Sequence, residues 1–318
     1  MSESTATADL ISMGECMVEL STREPLRQAP SFTRGFGGDA LNLAAMAAQL
    51  GTRAAYLTAV ADDPFGDYLL DGWRGTGVDV SLVRNVGGYN GLYLMAALQT
   101  GEREIIYYRE GSAAARMTPE MLPTEALRNV QLFHTSSITQ AISESSRKAV
   151  RAAIETVKDT GGAVSYDVNY RRLLWEPAAA RAAVEEVLPL VDILLPSVPE
   201  DTGPLFGLED PAKVVDYFRA KGVPVVIAKA GPLGAWGGWE DETRHWPPEA
   251  TKVVDAIGAG DAFCGAFLHG RLAGLGPEDC GTLASVAAGL SVGQTGTAGG
   301  LPSREAVVAA LAGRVELP

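Results

Sequence analysis

The sequence predicts an α/β fold built on a parallel sheet with helical crossovers. Short runs of β-type residues alternate with runs of helical apolar period along most of the 318 residues, the rhythm of strand, crossover helix, strand. Apolar residues make up 47% of the chain and charged residues 20%, which allows a sizeable core and excludes whole-chain disorder. One pair of strand-like runs breaks the alternation, because a turn and no helix joins them.

In order, residues 10–13 form a strand, the Ala-rich stretch 40–50 a helix, 54–60 a strand and about 65–74 a helix. The alternation resumes with strand 132–135, helix 144–158, strand 163–167, a helix around 177–188, strand 193–195, helix 212–221 and strand 225–229. Between these halves, 91–99 and 104–109 meet through Thr100-Gly101 as a hairpin standing off the main sheet. Joined by extended residues near 18–22 and 31–36, it makes a small lid; the competing assignment is two more core strands. From Gly258 onward the chain is Ala- and Gly-rich and helical, with close helix packing across 262–273 and 283–292. No repeat or linker divides it, so the expectation is one domain over residues 1–318, with a β lid drawn from about 14–37 and 90–112.

A net charge of −13 repels nucleic-acid phosphates and anionic lipid, so neither is an expected partner. The same field opposes any phosphorylated ligand, so a phosphate site has to be built locally from backbone N–H groups, a helix N-terminus or bound Mg²⁺. Cys16, Cys264 and Cys280 are widely spaced, which fits reduced thiols in a cytoplasm and no metal framework. The N-terminus has no basic segment followed by an apolar one, and no run reaches the ~18 apolar residues of a membrane span. A cytoplasmic protein is expected.

The strongest chemical feature is Asp255-Ala256-Ile257-Gly258-Ala259-Gly260-Asp261, followed by a helical apolar pattern from Phe263. Gly258 and Gly260 allow a tight turn that exposes consecutive N–H groups at a helix start. An acidic residue in a first helical turn is ordinarily a dipole-compensating group. Beside an anion hole, however, Asp261 can accept a hydroxyl proton while the amides stabilise charge on a transferring phosphoryl group. The chain lacks G-x-x-x-x-G-K-[ST] and lacks G-x-G-x-x-G at a strand-to-helix turn, which argues against a Walker-type NTPase and a dehydrogenase.

The segment from Asp255 to Phe267 resembles the C-terminal signature of the ribokinase-like (PfkB) carbohydrate kinases, and Gly35-Phe36-Gly37-Gly38-Asp39-Ala40-Leu41-Asn42 resembles the N-terminal one. The resemblance implies a ribokinase-like three-layer α/β/α sandwich with a small β-sheet lid, and ATP-dependent phosphorylation of a sugar hydroxyl. Further stretches resemble the 2-keto-3-deoxygluconate kinase branch: Gly14-Glu15, Gly91-Leu92-Tyr93, Tyr107-Tyr108-Arg109, Ser137-Ile138-Thr139 and Asp167-Val168-Asn169-Tyr170-Arg171. That branch implies phosphorylation of the sugar acid 2-keto-3-deoxygluconate to its 6-phosphate.

Carried onto this sequence, Asp261 is the base and the amides of Ile257, Gly258, Ala259 and Gly260 the anion hole. On the sugar side stand Gly38, where backbone approaches sugar closely, Asn42, Tyr93, Tyr107, Arg109, Ile138 and Arg171. Arg109 and Arg171 suit the acid, because guanidinium forks match a carboxylate. Taken alone, each is an ordinary surface residue. On the nucleotide side stand Ser197, Lys229, Gly231, Gly234, Gly258, Gly260 and Ser285, with Glu200 organising Mg²⁺ through water. Some family members also use K⁺ near the loop holding Asp255 and Ile257. The exposed edge of the lid is expected to pair subunits into a dimer or larger homo-oligomer.

The sequence departs from the family pattern in two places. Ser197 stands where the family has Asn, and no acidic residue stands in Gly296-Thr297-Ala298-Gly299-Gly300, where relatives present an Asp toward the sugar. Three alternatives therefore stay open: the same chemistry on fructose, ribose or 5-keto-2-deoxygluconate; a non-catalytic sugar or nucleoside sensor; and, from strand–helix alternation alone, an oxidoreductase. His134, His245 and His269 have no metal-ligand spacing, and Ser136-Ser137 sits in no nucleophile elbow.

Overall fold

The computed structural model describes residues 8–98, 100, 102–239, 242–249, 253–254, 256–293 and 300–317. The chain opens with β1 (Leu10–Met13), β2 (Met17–Thr22), β3 (Thr33–Gly37) and α1 (Asp39–Leu50). It continues through β4 (Ala54–Leu57), β5 (Ala59–Ala61), α2 (Pro64–Gly75), β6 (Arg84–Val86), β7 (Leu92–Ala97) and β8 (Arg103–Tyr108). Next come α3 (Thr124–Asn129), β9 (Leu132–Ser136), α4 (Ser137–Ala141), α5 (Glu144–Lys158), β10 (Ala163–Asp167), α6 (Pro177–Val187) and β11 (Ile193–Leu194). The rest is α7 (Thr202–Phe206), α8 (Pro211–Ala220), β12 (Val225–Lys229), β13 (Ala235–Trp239), β14 (Glu242–Trp246), α9 (Ala259–Leu272), α10 (Pro277–Ser291) and α11 (Arg304–Leu311).

The main sheet runs in the order β14-β13-β12-β11-β10-β9-β1-β4. Its strands are parallel from β4 to β12, and β13 and β14 add an antiparallel hairpin at one edge. Alternation along a strand sends side chains to opposite faces. Leu10, Leu132, Ile193 and Ile227 accordingly pack with α1, α9 and α10, while Ile11, Phe133, Val164 and Val226 pack with α5, α6 and α8. The result is three layers, helices on both faces of a buried sheet.

A second sheet, in the order β3-β2-β7-β8, is separate from the first. It contains the hairpin at 91–109 and the extended segments near 18–22 and 31–36, so these are not further core strands. All six residues of β8 are exposed. The apolar run at 54–60 differs from expectation by breaking after Leu57: β4 stays in the main sheet, and β5 pairs instead with β6.

Close helix packing follows from missing side chains. A Cβ on Gly265 would lie 2.4 Å from the Leu43 carbonyl oxygen and 2.8 Å from Met46 Cβ. Only glycine lets α9 press against α1 there, and that contact brings their N-terminal turns together.

Candidate active site

In a parallel α/β sheet, ligands bind beyond the carboxyl ends of the strands. Here those ends deliver Glu15 after β1, Ser136 from β9, Asp167 from β10, Ser197 after β11 and Lys229 from β12. Lys229 Nζ lies 2.6 Å from Asp167 Oδ2 and 3.4 Å from Cys264 Sγ. Burial works against the ammonium, but the Asp167 carboxylate outweighs it and raises the Lys229 pKa above the usual lysine range.

Asp261 projects from the first turn of α9, after Gly258 in the left-handed region at φ 77°. Asn42 Nδ2, from the first turn of α1, donates to Asp261 Oδ2 at 2.8 Å. Asp39 also starts α1; its carboxylate accepts from Ser136 Oγ at 2.5 Å and Asn169 Nδ2 at 3.1 Å. Burial pushes Asp261 up to about 7, and the Asp39 and Asp167 charges push the same way against Asn42 and Lys229. Asp261 as a whole residue is half-buried.

The first amides of a helix have no intrahelical acceptors, and a side chain at Gly260 would stand 3.9 Å from Lys229 Nζ. Helix mouth and ammonium therefore face the same small space, which suits an anion. The Ala259 N–H differs from expectation: it turns back to Ala256 O at 3.4 Å, closing the turn rather than facing that space. Asp255 lies outside the described residues.

Tyr93 stands between Glu19 on β2 and Tyr107 on β8 in the strand register. Its hydroxyl donates to the Glu19 carboxylate, and its ring centroid is 5.8 Å from that of Tyr107. Burial and the Glu19 charge push the Tyr93 hydroxyl well above the usual tyrosine range. Met17, Tyr93 and Met95 form a small apolar cluster, and Ile257 from the turn before α9 packs against it.

Arg109, one residue beyond β8, gives Nε and Nη2 to Glu15 Oε2 at 2.8 and 2.6 Å. Ser112 Oγ donates to the other Glu15 oxygen at 2.5 Å. Arg109 is therefore already charge-compensated, which its sequence context did not suggest. Arg171 is exposed and donates to Tyr170 O at 3.4 Å; among the described residues no ion pair joins it to the lid. Ile138 sits nearly buried in α4.

Gly38 and Asn42 also differ from expectation. A Cβ on Gly38 would lie 2.3 Å from Glu15 O and 2.8 Å from Cys16 Cα, so the glycine lets two backbone segments cross rather than holding space open for a sugar. Asn42 gives its side-chain N–H to Asp261.

Of the residues expected at the nucleotide, Ser197 bridges Lys229 and gives its N–H to Asp201 Oδ2 at 2.8 Å. The buried Asp201 also accepts from Tyr170 N at 2.8 Å, and burial pushes its carboxyl up to about 6. Glu200 next to it is exposed and lines a hollow of about 420 Å³ with Tyr170, Arg172 and Glu176. Gly231 and Gly234 take positive φ, and a side chain at Gly234 would strike Trp246 O at 2.1 Å. Ser285, on α10, lines a separate hollow of about 360 Å³ with Trp246, Thr282 and Arg314. Of the segment 296–300, residues 296–299 lie outside the described residues.

Glu15, Glu19, Asp39, Asp167 and Asp201 had no assigned role in the sequence. Glu15, Asp39 and Asp167 stood inside the motifs, but in an acidic chain an acidic residue carries no signal until its partner is known. His134 is buried against Ser165 Oγ and His269 against Thr52 Oγ1, and burial lowers them to about 3 and about 4. Both are core histidines, and the Nε2 of His269 is buried without a hydrogen-bond partner.

The profile of the pfkB family carbohydrate kinases matches residues 7–304. The 2-dehydro-3-deoxygluconokinase of Thermoproteus tenax is 34% identical over 309 residues, covering 95% of this chain and 94% of that protein. The enzyme of the same name from Bacillus subtilis (strain 168) is 29% identical over 305 residues, covering 93% of each. The crystal structure of a putative Ribokinase II from E. coli in complex with ATP and Mg²⁺ superposes with a TM-score of 0.88 at 24% identity, over 96% of this chain and 99% of that one, a likeness of fold. Among the described residues no helix is long and apolar enough to cross a membrane. The chain thus belongs to the PfkB family of carbohydrate kinases and is a sugar kinase with a ribokinase-like α/β/α sandwich fold.

Proposed function

We propose that this kinase transfers the γ-phosphoryl group of ATP to a primary hydroxyl of a sugar acid, 2-keto-3-deoxygluconate, giving the 6-phosphate. The observation that carries the reading is the meeting of the Asp261 carboxylate, the N-terminus of α9 and Lys229 at one small space. The acceptor hydroxyl gives its proton to Asp261 as its oxygen bonds to phosphorus, and the bond to the ADP oxygen breaks. A base poised near 7 is deprotonated often enough to act at neutral pH and basic enough to take the proton. The amides of Gly258 and Gly260, with Lys229, would stabilise charge on the transferring group.

Among the described residues no cluster of three or more acidic, His or Cys groups is set to hold a metal. Mg²⁺ would arrive on the nucleotide, with the exposed Glu200 as its water-mediated neighbour and Ser197 nearby. Mg²⁺ bound there would supply charge neutralisation at the phosphates. Gly231 and Gly234 would shape the loop after β12 for the phosphates, and Ser285 would contact the nucleoside. A K⁺ effect would act through the turn at Ile257. Tyr93, Tyr107 and Ile138 would wall the sugar site, with Arg109 and Arg171 facing its carboxylate. The sheet β3-β2-β7-β8 would be the lid that excludes water, and exposed Ile105, Ile106 and Tyr108 on its edge strand support pairing of two copies there.

A second reading, a neutral sugar such as fructose or ribose, has one observation in its favour: Glu15 already compensates Arg109. Coupled ADP release across 2-keto-3-deoxygluconate, 5-keto-2-deoxygluconate, fructose and ribose, with and without K⁺, tests both. Highest kcat/KM on 2-keto-3-deoxygluconate is expected; preference for fructose or ribose would overturn the acid reading.

A further inference from the structure

The chain passes between the second sheet and the rest of the molecule at residues 14–16 after β1, at Gly38 between β3 and α1, at Gly91 before β7 and at residues 109–112 after β8. Every one of these passages touches Glu15, the residue at the centre of the first. A side chain on Gly38 would fall 2.3 Å from its carbonyl oxygen, and one on Gly91 would fall 2.6 Å from its Oε1. Arg109 and Ser112, from the last passage, bind its two carboxylate oxygens. The Glu15 side chain is 1% exposed, so this hub is dry.

The geometry points to Glu15 as a positioning residue that fixes the Arg109 guanidinium and pins the lid passages to the main sheet, setting the enzyme's affinity for its acidic sugar. The inference rests on the proposed role of Arg109 toward the sugar carboxylate. Arg109 spends two of its five N–H groups on Glu15; the others remain to form a fork for a ligand. A substrate that pulled Arg109 away would leave a buried carboxylate with Ser112 alone, and a partner lost from a buried pair is worth more than an ion pair gained in a wet cleft. The pair therefore persists through binding, and Glu15 acts by holding the fork still rather than by competing for it.

The test uses the full-length enzyme with 2-keto-3-deoxygluconate, reading kcat and KM separately. Glu15→Gln keeps shape and removes charge, and Ser112→Ala removes the second support. Each is made with Arg109 present and with Arg109→Ala. Glu15→Gln is expected to raise KM roughly ten- to a hundredfold with a smaller change in kcat, because a displaced positioning group costs binding geometry. Ser112→Ala should raise KM about threefold, and in the Arg109→Ala background Glu15→Gln should add less than about twofold.

An unchanged KM with a lowered apparent kcat, or full additivity with Arg109→Ala, would mean a merely structural role and would overturn the inference. A lowered KM would make Glu15 a competitor for Arg109 and would overturn it too. If Glu15→Gln does not fold, Ser112→Ala is judged by the same KM criterion. If Arg109→Ala leaves KM for the acid unchanged, the carboxylate role of Arg109 fails by itself. The pin is then judged by amide hydrogen exchange in β7 and β8: faster exchange in Glu15→Gln supports it, and unchanged exchange overturns it.

Discussion

Asn42 Nδ2 lies 2.8 Å from Asp261 Oδ2, so the first turn of α1 holds the carboxylate that begins α9. Residues 219 positions apart meet because Gly265 removes the side chain that would hold the two helices away from each other. The bond favours the ionised form of Asp261, against burial and the Asp39 charge. Asn42→Ala should therefore raise the apparent pKa of the base and lower kcat/KM at pH 7 about tenfold. A pH–rate profile measures this, and an unmoved acid limb would remove Asn42 from the orientation of the base.

Asp261→Asn should cut turnover by about 10²–10⁴ and at the same time stabilise the fold at neutral pH. The folded carboxyl titrates at about 7 against the usual 3.8, so folding favours its protonated form. That contribution is full below 3.8 and is lost as pH rises through about 7. Asparagine does not titrate, so the variant should gain about 1–2 kcal/mol at pH 8 after allowing for solvent screening. Urea unfolding at pH 4 and pH 8 checks this; equal differences at both would contradict it.

For the wild-type enzyme, kcat/KM should fall as pH drops through about 7, because the base must be ionised. Asp39→Asn removes a like charge and should move that limb to lower pH. A limb that stays in place would mean that the Asp39 charge does not set the value.

Arg109→Ala and Arg171→Ala should each reduce kcat/KM for a sugar acid about ten- to a hundredfold, and for fructose far less, since a lost charge-assisted contact is felt only by the carboxylate. Equal losses on both sugars would assign the arginines to the scaffold.

Gly38→Ala should destabilise the protein by about 1–3 kcal/mol, because the added carbon would meet a backbone oxygen at 2.3 Å and backbone cannot swing aside as a side chain can. Thermal unfolding measures it, and an unaltered midpoint would show that the segment at Glu15 gives way.

Much of this architecture was legible in the residues. The strands at Ala163–Asp167 and Val225–Lys229 and the helix at Glu144–Lys158 fall where period and punctuation put them. The hairpin β13–β14 was not assigned: its Gly237-Gly238 centre lacks strand character, and it exists because Trp246 and Val215 fill the space those glycines leave. In the site, Asp261 could be singled out because glycines around it announce a turn. Asn42, Arg109 and Gly38 were noticed for possible contacts with a sugar, yet their observed partners are Asp261, Glu15 and the Glu15 backbone. A motif indicates which side chains gather and leaves open which of them hold one another, since that depends on pairings far apart in sequence.

Ile257 sits in the turn that forms the mouth of α9 and packs beneath Met17, Tyr93 and Met95 of the second sheet. On the proposed reading the two substrates should not be indifferent to each other. Nucleotide that ordered this turn would also firm the second sheet, and sugar held under that sheet would steady the turn. By reciprocity each must tighten the other by the same factor, so the dissociation constant of a non-hydrolysable ATP analogue should fall when sugar is present, and trimming Ile257 to alanine should weaken that mutual help before it weakens either site alone.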